Sequence, residues 1–337
     1  MSVRTAEGSG ARSVRVKVFY HDRCFDGACS AAVFSRFYRE RIREHAEFEY
    51  SGLLHRAGAL FDESEFTGDE NAIVDFKYSP SPQITWWFDH HQSAFLTPED
   101  AEHYETSLSN AKFYDPDYRS CTKFIADVTE NRFGFQKQSV AEVVEWADII
   151  DGALYSDAKT AVEMAEPAMK LTMVIESNQD SELLPKLIPM LAYKPLAEIV
   201  SDPMVAERLP ALLERHRRSI EVLRERSTCK DGTIFFDVTD HELEGYNKFI
   251  PYYLHPEGTY SIGLSKSTFR TKVSVGSNPW APVEPTENLA KICERYGGGG
   301  HARVGAISFA PGKFDEARQA ANEIVEELRA SYRKQVG

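Results

Sequence analysis

The feature that most constrains the fold is a series of short apolar runs of strand length, each followed by polar side chains. Val14, Val16 and Val18 alternate with basic residues, and helical composition follows over residues 28–41. Residues 72–74 run into Asp75, and residues 84–88 run into Asp89-His90-His91. Short apolar strands that alternate with helices predict an α/β fold with a mainly parallel, doubly wound sheet.

The length of 337 residues predicts more than one domain, because a single core rarely grows to this size. Residues 1–13 look like a disordered tail and do not resemble a signal peptide. Residues 14–165 carry the parallel-sheet pattern, with helices predicted over 121–129 and 140–150. Residues 166–229 are predicted to be a helical linker, ending in a long helix over 209–226. Residues 230–337 again mix strands and helices, which predicts a smaller α/β domain.

Charge and cysteine content exclude several classes of protein. A net charge of −13 argues against binding long duplex DNA, which needs a broad basic surface. The five cysteines are scattered and show no Cys-x-x-Cys pair, a pattern typical of reduced thiols in the cytoplasm. No apolar run is long enough to cross a bilayer, so we expect a cytoplasmic protein without a membrane partner.

The polar residues at the strand ends form the main candidate site. Asp26, Asp75 and Asp89 each follow a predicted strand, and the carboxyl ends of parallel strands share one edge of a sheet. One such Asp is usually a turn former or helix cap. Several crowded together repel one another unless cations lie between them. His21, His90 and His91 lie near these aspartates in the sequence. A site with both imidazole and carboxylate ligands suits Mn, Fe, Zn or Co.

A second candidate site is the glycine run 297–300 with His301. Four glycines let the backbone approach a ligand closely and direct its amide hydrogens at an anion. The run follows a predicted helix (288–296) and precedes a predicted strand (304–309). The dinucleotide-binding fingerprint has the opposite order, with a strand before the glycines and a helix after them, so the run does not match it. Two interpretations are left: a phosphate contact of another kind and a flexible turn.

These two motifs together resemble the DHH phosphoesterase superfamily with its DHH-associated C-terminal domain (subtype 1). The superfamily includes RecJ-like exonucleases, oligoribonucleases that also hydrolyse phosphoadenosine phosphate, and cyclic-dinucleotide phosphodiesterases. The resemblance covers residues 14–155 and 230–330. It implies that the first domain is the catalytic, metal-binding domain and that the last domain binds substrate.

Carried onto this sequence, the resemblance implies two sets of site residues. The implied metal ligands are His21, Asp26, Asp75, Asp89, His90 and Asp151. Asp89, His90 and His91 would be catalytic, with His91 binding metal or supporting a ligand. The implied substrate-binding residues are Gly298, Gly299, Gly300, His301 and Arg270, with Arg303 as a weaker candidate. Asp148 is the alternative to Asp151, which is favoured because Asp151-Gly152 is more similar to the family's motif.

The first motif departs from the family pattern. Cys24 stands where some members have Asp, and Ala28 occupies another such position, which leaves open whether one or two metals bind. Asp22 or the Cys24 thiolate could compensate, and a thiolate favours a softer metal. A buried structural thiol is the preferred interpretation of Cys24.

The resemblance implies a phosphoesterase that hydrolyses short oligonucleotides or small nucleotides. Its cofactor would be one or two divalent ions, Mn first, with Mg or Co as alternatives. The rival functions are an inorganic polyphosphatase or pyrophosphatase and a nucleotide-binding regulator without turnover. Trp280 favours a nucleotide if it stacks on a base, and it is equally an anchor of the core. A homodimer is the assembly considered.

Overall fold

The structure is a computed structural model that describes residues 13–55, 60–107, 109–241, 243 and 245–337. The tail predicted for residues 1–13 therefore lies outside the described residues, apart from its last position. The chain divides into two compact units. One contains the chain up to Leu154 and Glu166–Arg208; the other contains Tyr155–Ala165 and Leu209–Gly337. The polypeptide thus passes between the units three times.

The helices and strands follow one another closely along the chain. The strands are β1 (Arg15–His21), β2 (Glu47–Leu53), β3 (Glu70–Val74), β4 (Ile84–Asp89), β5 (Lys112–Tyr114), β6 (Thr228–Lys230), β7 (Thr233–Asp237), β8 (Tyr260–Lys266), β9 (Thr271–Ser277), β10 (Gly299–His301) and β11 (Val304–Phe309). The helices are α1 (Phe25–Arg41), α2 (Pro98–Thr106), α3 (Cys121–Phe133), α4 (Ala141–Asp151), α5 (Ala158–Val162), α6 (Pro167–Glu176), α7 (Leu183–Tyr193), α8 (Leu196–Ser201), α9 (Pro203–Ala206), α10 (Leu209–Arg226), α11 (Ile250–Leu254), α12 (Leu289–Glu294) and α13 (Phe314–Val336).

The first unit is built on a parallel sheet in the order β2-β1-β3-β4-β5. This confirms the predicted parallel sheet, although the sequence analysis did not identify the edge strands β2 and β5. In this order the chain winds to one side of β1 and then to the other. Ligands bind outside the carboxyl ends of the strands at such a switch point, which here lies between β1 and β3.

Both faces of the first sheet are covered, as a doubly wound arrangement requires. Helix α1 packs against β1 on one face and contacts α3, α4 and α7. An aromatic cluster that includes Phe19, Phe66, Phe76 and Trp87 fills the other face. The indole Nε1 of Trp87 donates a hydrogen bond to the carbonyl of Phe76 at 2.9 Å. This bond ties the end of β4 to the loop that follows β3.

The second unit contains a mixed sheet in the order β10-β11-β9-β8-β7-β6. Only β7 and β8 pair in parallel within this sheet. Ile262, Val273 and Ile307 point from the sheet into a core that α12 and α13 complete. The predicted α/β character of this part of the chain is confirmed. The glycine run does not form only a turn, because Gly299–His301 is the edge strand β10.

Among the described residues, no helix combines the length and apolarity that crossing a bilayer would demand.

Candidate metal centre

Asp26 is fixed by two helices at the end of β1. It lies in the first turn of α1 and is buried. Its carboxylate accepts hydrogen bonds from the backbone amides of Cys121, at 2.7 Å, and Thr122, at 3.0 Å. These amides belong to the first turn of α3, where helix N–H groups lack partners within the helix. Gly27 allows α1 to begin close to the end of β1, because a Cβ at this position would lie 2.2 Å from the carbonyl oxygen of His21.

Asp75 has an unusual backbone conformation directly after β3. Its φ is +56°, in the left-handed region that few residues other than glycine adopt. Its backbone N–H donates to the carbonyl of Phe88 at 2.9 Å, which holds the turn against β4. The side chain is buried, and neither carboxylate oxygen has a hydrogen-bond partner. Strained residues of this kind cluster at functional sites.

The triplet Asp89-His90-His91 lies at the end of β4, which finishes at Asp89. The imidazole rings of the two histidines lie close together, with their centroids 4.6 Å apart. Oδ1 of Asp89 accepts the backbone N–H of His90 at 2.8 Å and contacts Nδ1 of His91 at 2.7 Å. Oδ2 of Asp89 is buried without a partner. Asp89 thus orients both histidines with one oxygen and keeps the other for a ligand.

His90 occupies the centre of the cluster. Its Nδ1 lies 3.1 Å from the carbonyl of Tyr118, so Nδ1 carries the proton that it donates to this oxygen. That leaves Nε2 facing three carboxylates, those of Asp75 at 3.4 Å, Asp151 at 3.5 Å and Asp26 at 3.7 Å. A histidine held in this way by a carbonyl is the usual arrangement of a metal ligand.

Of the two late aspartates, Asp151 reaches this cluster. It is the last residue of α4, and its carboxylate faces His90. Asp148 lies one turn earlier and forms an ion pair with Lys123 at 2.7 Å. Asp148 is in none of the groups of potential ligands found among the described residues.

The cluster contains buried polar atoms that have no hydrogen-bond partner among the described residues. They are Nδ1 of His21, both carboxylate oxygens of Asp75, Oδ2 of Asp89 and Nε2 of His90. Buried polar groups are nearly always hydrogen-bonded, so five such atoms in neighbouring residues need a common explanation. Three overlapping groups of potential ligands occur here, and within each group the ligand atoms lie within 4.8 Å of one another: His21 with Cys24 and Asp75, Asp75 with His90 and His91, and Asp26 with His90 and Asp151. Asp89 belongs to none of these groups and contacts the cluster through Nδ1 of His91. This donor set fits divalent cations.

The electrostatics of the cluster support the same interpretation. Burial, together with the charges of Asp75 and Asp151, raises the pKa of Asp26 well above its usual value. Burial and the charge of Asp75 raise the pKa of Asp151 to about 6. Burial opposes protonation of His90, but the carboxylates of Asp75 and Asp26 outweigh it and raise the pKa of His90 to about 10. Without cations, these residues must hold protons to limit the repulsion between their charges.

His55 lies beside this centre and was not predicted from the sequence. Its ring is 5.0 Å from that of His21 and stacks on Phe76 at 4.7 Å. The side chain is exposed, so it is available to a bound molecule. His55 follows β2, and without the prediction of that edge strand its position next to β1 could not be inferred.

The predicted substrate-binding residues lie in the second unit. His301 is exposed on β10, where it pairs with Val304 of β11. Arg270 contacts Ser308, with 3.3 Å between its Nη1 and the serine Oγ, at the opposite end of β11. Ser308 lies four positions after Val304, or about 13 Å along the strand. The structure therefore does not bring Arg270 next to His301.

Three further residues of this unit have contacts that bear on the predictions. Lys272, which the sequence analysis did not single out, lies close to Arg270 in the chain and pairs in register with Ser308. Burial, with the charge of Arg270, lowers its pKa. Trp280 contacts Phe249, with ring centroids 5.5 Å apart, and its Nε1 donates to the carbonyl of Tyr155 at 2.9 Å. These contacts favour the core-anchor interpretation of Trp280. Arg303 is exposed and lies 3.4 Å from a carboxylate oxygen of Glu284.

Comparison with solved structures reveals three informative likenesses. A pGpG-specific phosphodiesterase from Vibrio cholerae, PggH, superposes with a TM-score of 0.68 at 18% identity, covering 94% of this chain and 99% of that chain. The DHH domain of a protein described as a member of the s1p family of ribosomal proteins gives a TM-score of 0.60 at 14% identity, covering 93% of this chain and 86% of that one.

RecJ from Thermus thermophilus, in complex with Mn²⁺, gives a TM-score of 0.52 at 14% identity and covers 94% of this chain but only 52% of RecJ. No protein-family model matches the sequence, and no curated protein matches it.

Proposed function

Because the chain has the fold of these DHH proteins, we propose that it is a divalent-metal-dependent phosphoesterase acting on short oligonucleotides or small nucleotides. The observation that carries this proposal is the set of five unpartnered buried atoms contributed by His21, Asp75, Asp89 and His90. Unpartnered acceptors in a buried site cost free energy unless a cation satisfies them. A structural role for these side chains would not require them to remain unpaired.

Cations would be held by the ligands predicted from the sequence, with Asp75 and Asp89 contributing their free carboxylate oxygens. When bound, divalent ions lower the pKa of a water molecule and neutralise charge on a phosphoryl group. The protein itself supplies orientation. Asp89 holds His91, the carbonyl of Tyr118 holds His90, and the first turn of α3 holds Asp26. The manganese assignment and the number of ions belong to this proposal, as does a cytoplasmic location.

The substrate class rests on two supports. The V. cholerae protein, which this chain matches over nearly its full length, is named for the linear dinucleotide pGpG. The second unit offers an exposed His301 and a Lys272–Arg270 pair, groups that suit a phosphate. A short oligonucleotide or dinucleotide that ends in phosphate fits this combination. An inorganic polyphosphate is the alternative, since the contacts of Trp280 with Phe249 weaken the argument for base stacking.

The direct test is product analysis with Mn²⁺-loaded protein. The panel contains pGpG, short RNA, short DNA, cyclic dinucleotides, phosphoadenosine phosphate and pyrophosphate. We expect release of nucleoside monophosphates from the short linear substrates. Hydrolysis of pyrophosphate alone would instead support the inorganic phosphatase. Metal and nucleotide binding without any hydrolysis would support the regulator.

Replacing Asp89 with Asn tests the site within the same assay. The substitution preserves the shape of the side chain and an oxygen that can accept the His90 amide, but it removes the negative charge that a cation would need. We expect turnover to fall by about a hundred- to a thousandfold, the order of magnitude of losing a stabilising group in the transition state. Asp148→Asn is the matched control, because Asp148 pairs with Lys123 outside the cluster. Turnover that survives in Asp89→Asn would refute the assignment.

A further inference from the structure

We propose that Cys24 is itself a metal ligand, and that the cation held by His21, Cys24 and Asp75 is a thiophilic ion such as Zn²⁺ in preference to Mn²⁺. The inference rests on the proposed function, since it assumes that the cluster binds cations. It replaces the interpretation of Cys24 as an inert packing thiol and changes the expected metal.

The sulfur of Cys24 lies close to two other potential ligands. The Sγ atom of Cys24, a ring nitrogen of His21 and a carboxylate oxygen of Asp75 lie within 4.8 Å of one another. Cys24 is only partly buried and precedes α1 at its N-cap position, where its side chain makes no capping hydrogen bond. The sulfur is therefore near two donors and is not used by the helix.

Asp75 and His21 support a cation at this position independently of the cysteine. Asp75 is 1% exposed, and both of its oxygens lack a hydrogen-bond partner. One of them lies 3.4 Å from Nδ1 of His21, which also has no hydrogen-bond partner. A buried carboxylate and a buried imidazole nitrogen that lack hydrogen bonds thus belong to residues whose ligand atoms lie within 4.8 Å of the Cys24 sulfur.

The other cysteines of this unit differ from Cys24. Cys29 is fully buried within α1, and Sγ of Cys121 lies 3.4 Å from the carbonyl of Phe88, to which it donates. Neither is part of a group of potential ligands among the described residues. Packing explains both, whereas it does not explain Cys24.

The chemistry of the donor set then selects the ion. Thiolate with imidazole and carboxylate suits Zn²⁺, which is borderline soft, whereas Mn²⁺ and Mg²⁺ prefer oxygen ligands. Binding would displace the thiol proton to solvent, since the thiolate is the form that ligates. The remaining groups, Asp75 with His90 and His91 and Asp26 with His90 and Asp151, contain no sulfur and stay suited to a harder ion.

The test is X-ray absorption spectroscopy of the full chain loaded with Zn²⁺. Wild-type protein should show a zinc–sulfur distance of about 2.3 Å. Cys24→Ser should lose that distance, and Cys24→Asp should replace it with a zinc–oxygen distance. Cys229→Ser, which removes a similarly exposed thiol from the other unit, should keep it. Metal analysis after equilibration with equal Zn²⁺ and Mn²⁺ should show that Cys24→Asp shifts the retained metal towards Mn²⁺.

The outcomes separate this inference from the proposed function. Zinc bound only through nitrogen and oxygen in the wild type, or an unchanged sulfur distance in Cys24→Ser, would overturn the role of Cys24 and leave a metal-dependent enzyme standing. Failure of the wild type to retain any divalent ion would overturn both. If Cys24→Ser does not fold, as judged by circular dichroism, the wild-type and Cys24→Asp spectra still decide the question.

Discussion

At the scale of the residue, the centre is organised by which atom of each side chain is already engaged. Oδ1 of Asp89 and Nδ1 of His90 are used for orientation, and their other polar atoms remain unpaired. Side chains that use one polar atom for an internal hydrogen bond and leave the other free are already oriented before a ligand binds. They therefore lose little conformational entropy on binding.

Asp151 provides a test of the repulsion within the cluster. Its pKa is raised from 3.8 to about 6, so its charge destabilises the metal-free folded state as the pH rises through that range. Asp151→Asn should make the metal-free protein more stable at pH 7, by on the order of 1 kcal/mol because the side chain is partly exposed. Urea denaturation should show this difference at pH 7 and its disappearance near pH 4. A less stable metal-free variant at pH 7 would contradict the repulsion.

Metal affinity should depend on pH in a defined direction. The carboxylates raise the pKa of His90 to about 10, so a cation at neutral pH must displace a proton from this cluster. We expect affinity to rise between pH 6 and pH 9. Calorimetric titration in buffers with different ionisation enthalpies should detect proton release, and His90→Gln should reduce it. Affinity that is constant over this range would exclude His90 as a ligand.

At the scale of the element, the sequence predicted the strands that carry the site more fully than the strands that flank it. The strand β1 was predicted from the alternation of its valines with basic residues, and β3 and β4 were predicted because each contains a short apolar run. The edge strand β2 was not, because most of its residues are only partly buried or exposed and its few apolar residues alternate with polar ones.

The convergence of the ligands could be predicted for the same reason. Residues at the carboxyl ends of parallel strands meet whatever the loops do, which placed Asp26, Asp75 and Asp89 together. The carbonyl of Tyr118 that holds His90, and the position of His55, could not be predicted. Both depend on loop conformations that no periodic pattern encodes.

Gly27 lies in the first turn of α1, next to Asp26, and the structure decides whether replacing it stabilises or destabilises the protein. Helix propensity alone favours Gly27→Ala by about 0.5–1 kcal/mol. The added Cβ would lie 2.2 Å from the carbonyl of His21, a backbone atom that cannot move aside cheaply. We therefore expect a loss of about 1–3 kcal/mol and weaker metal binding, measured by urea denaturation and metal titration. Gly299→Ala, where no atom lies within 4 Å of the new methyl group, should leave stability unchanged.

At the scale of the whole molecule, the first unit is assembled from two separate stretches of the chain. Helix α7 lies after residue 166 but packs on α1, and Leu184, Leu187, Ile188 and Leu191 are buried. At about 1.5–3 kcal/mol for each buried side chain, this contact is comparable to the stability of an entire domain.

Truncation tests this assembly. We expect a chain of residues 1–208 to fold and retain divalent metal, whereas residues 1–165, which lack α7, should not unfold cooperatively. Circular dichroism with thermal melting and metal titration would measure both. Cooperative melting and metal binding by residues 1–165 would show instead that the segment from 166 onward is a dispensable linker.

Because the chain passes between the units three times, the two cores are completed at different times during synthesis. The strands of the parallel sheet leave the tunnel early, yet their covering helix α7 follows a short segment, Tyr155–Ala165, that belongs to the other unit. At about 5–20 residues per second, that segment waits roughly ten to thirty seconds for the rest of its own core to be synthesised. During this interval Ala161 and Val162, buried in the finished protein, have nothing to cover them. We therefore expect Tyr155–Ala165 to stay accessible to chaperones and proteases until the rest of the second unit has been synthesised.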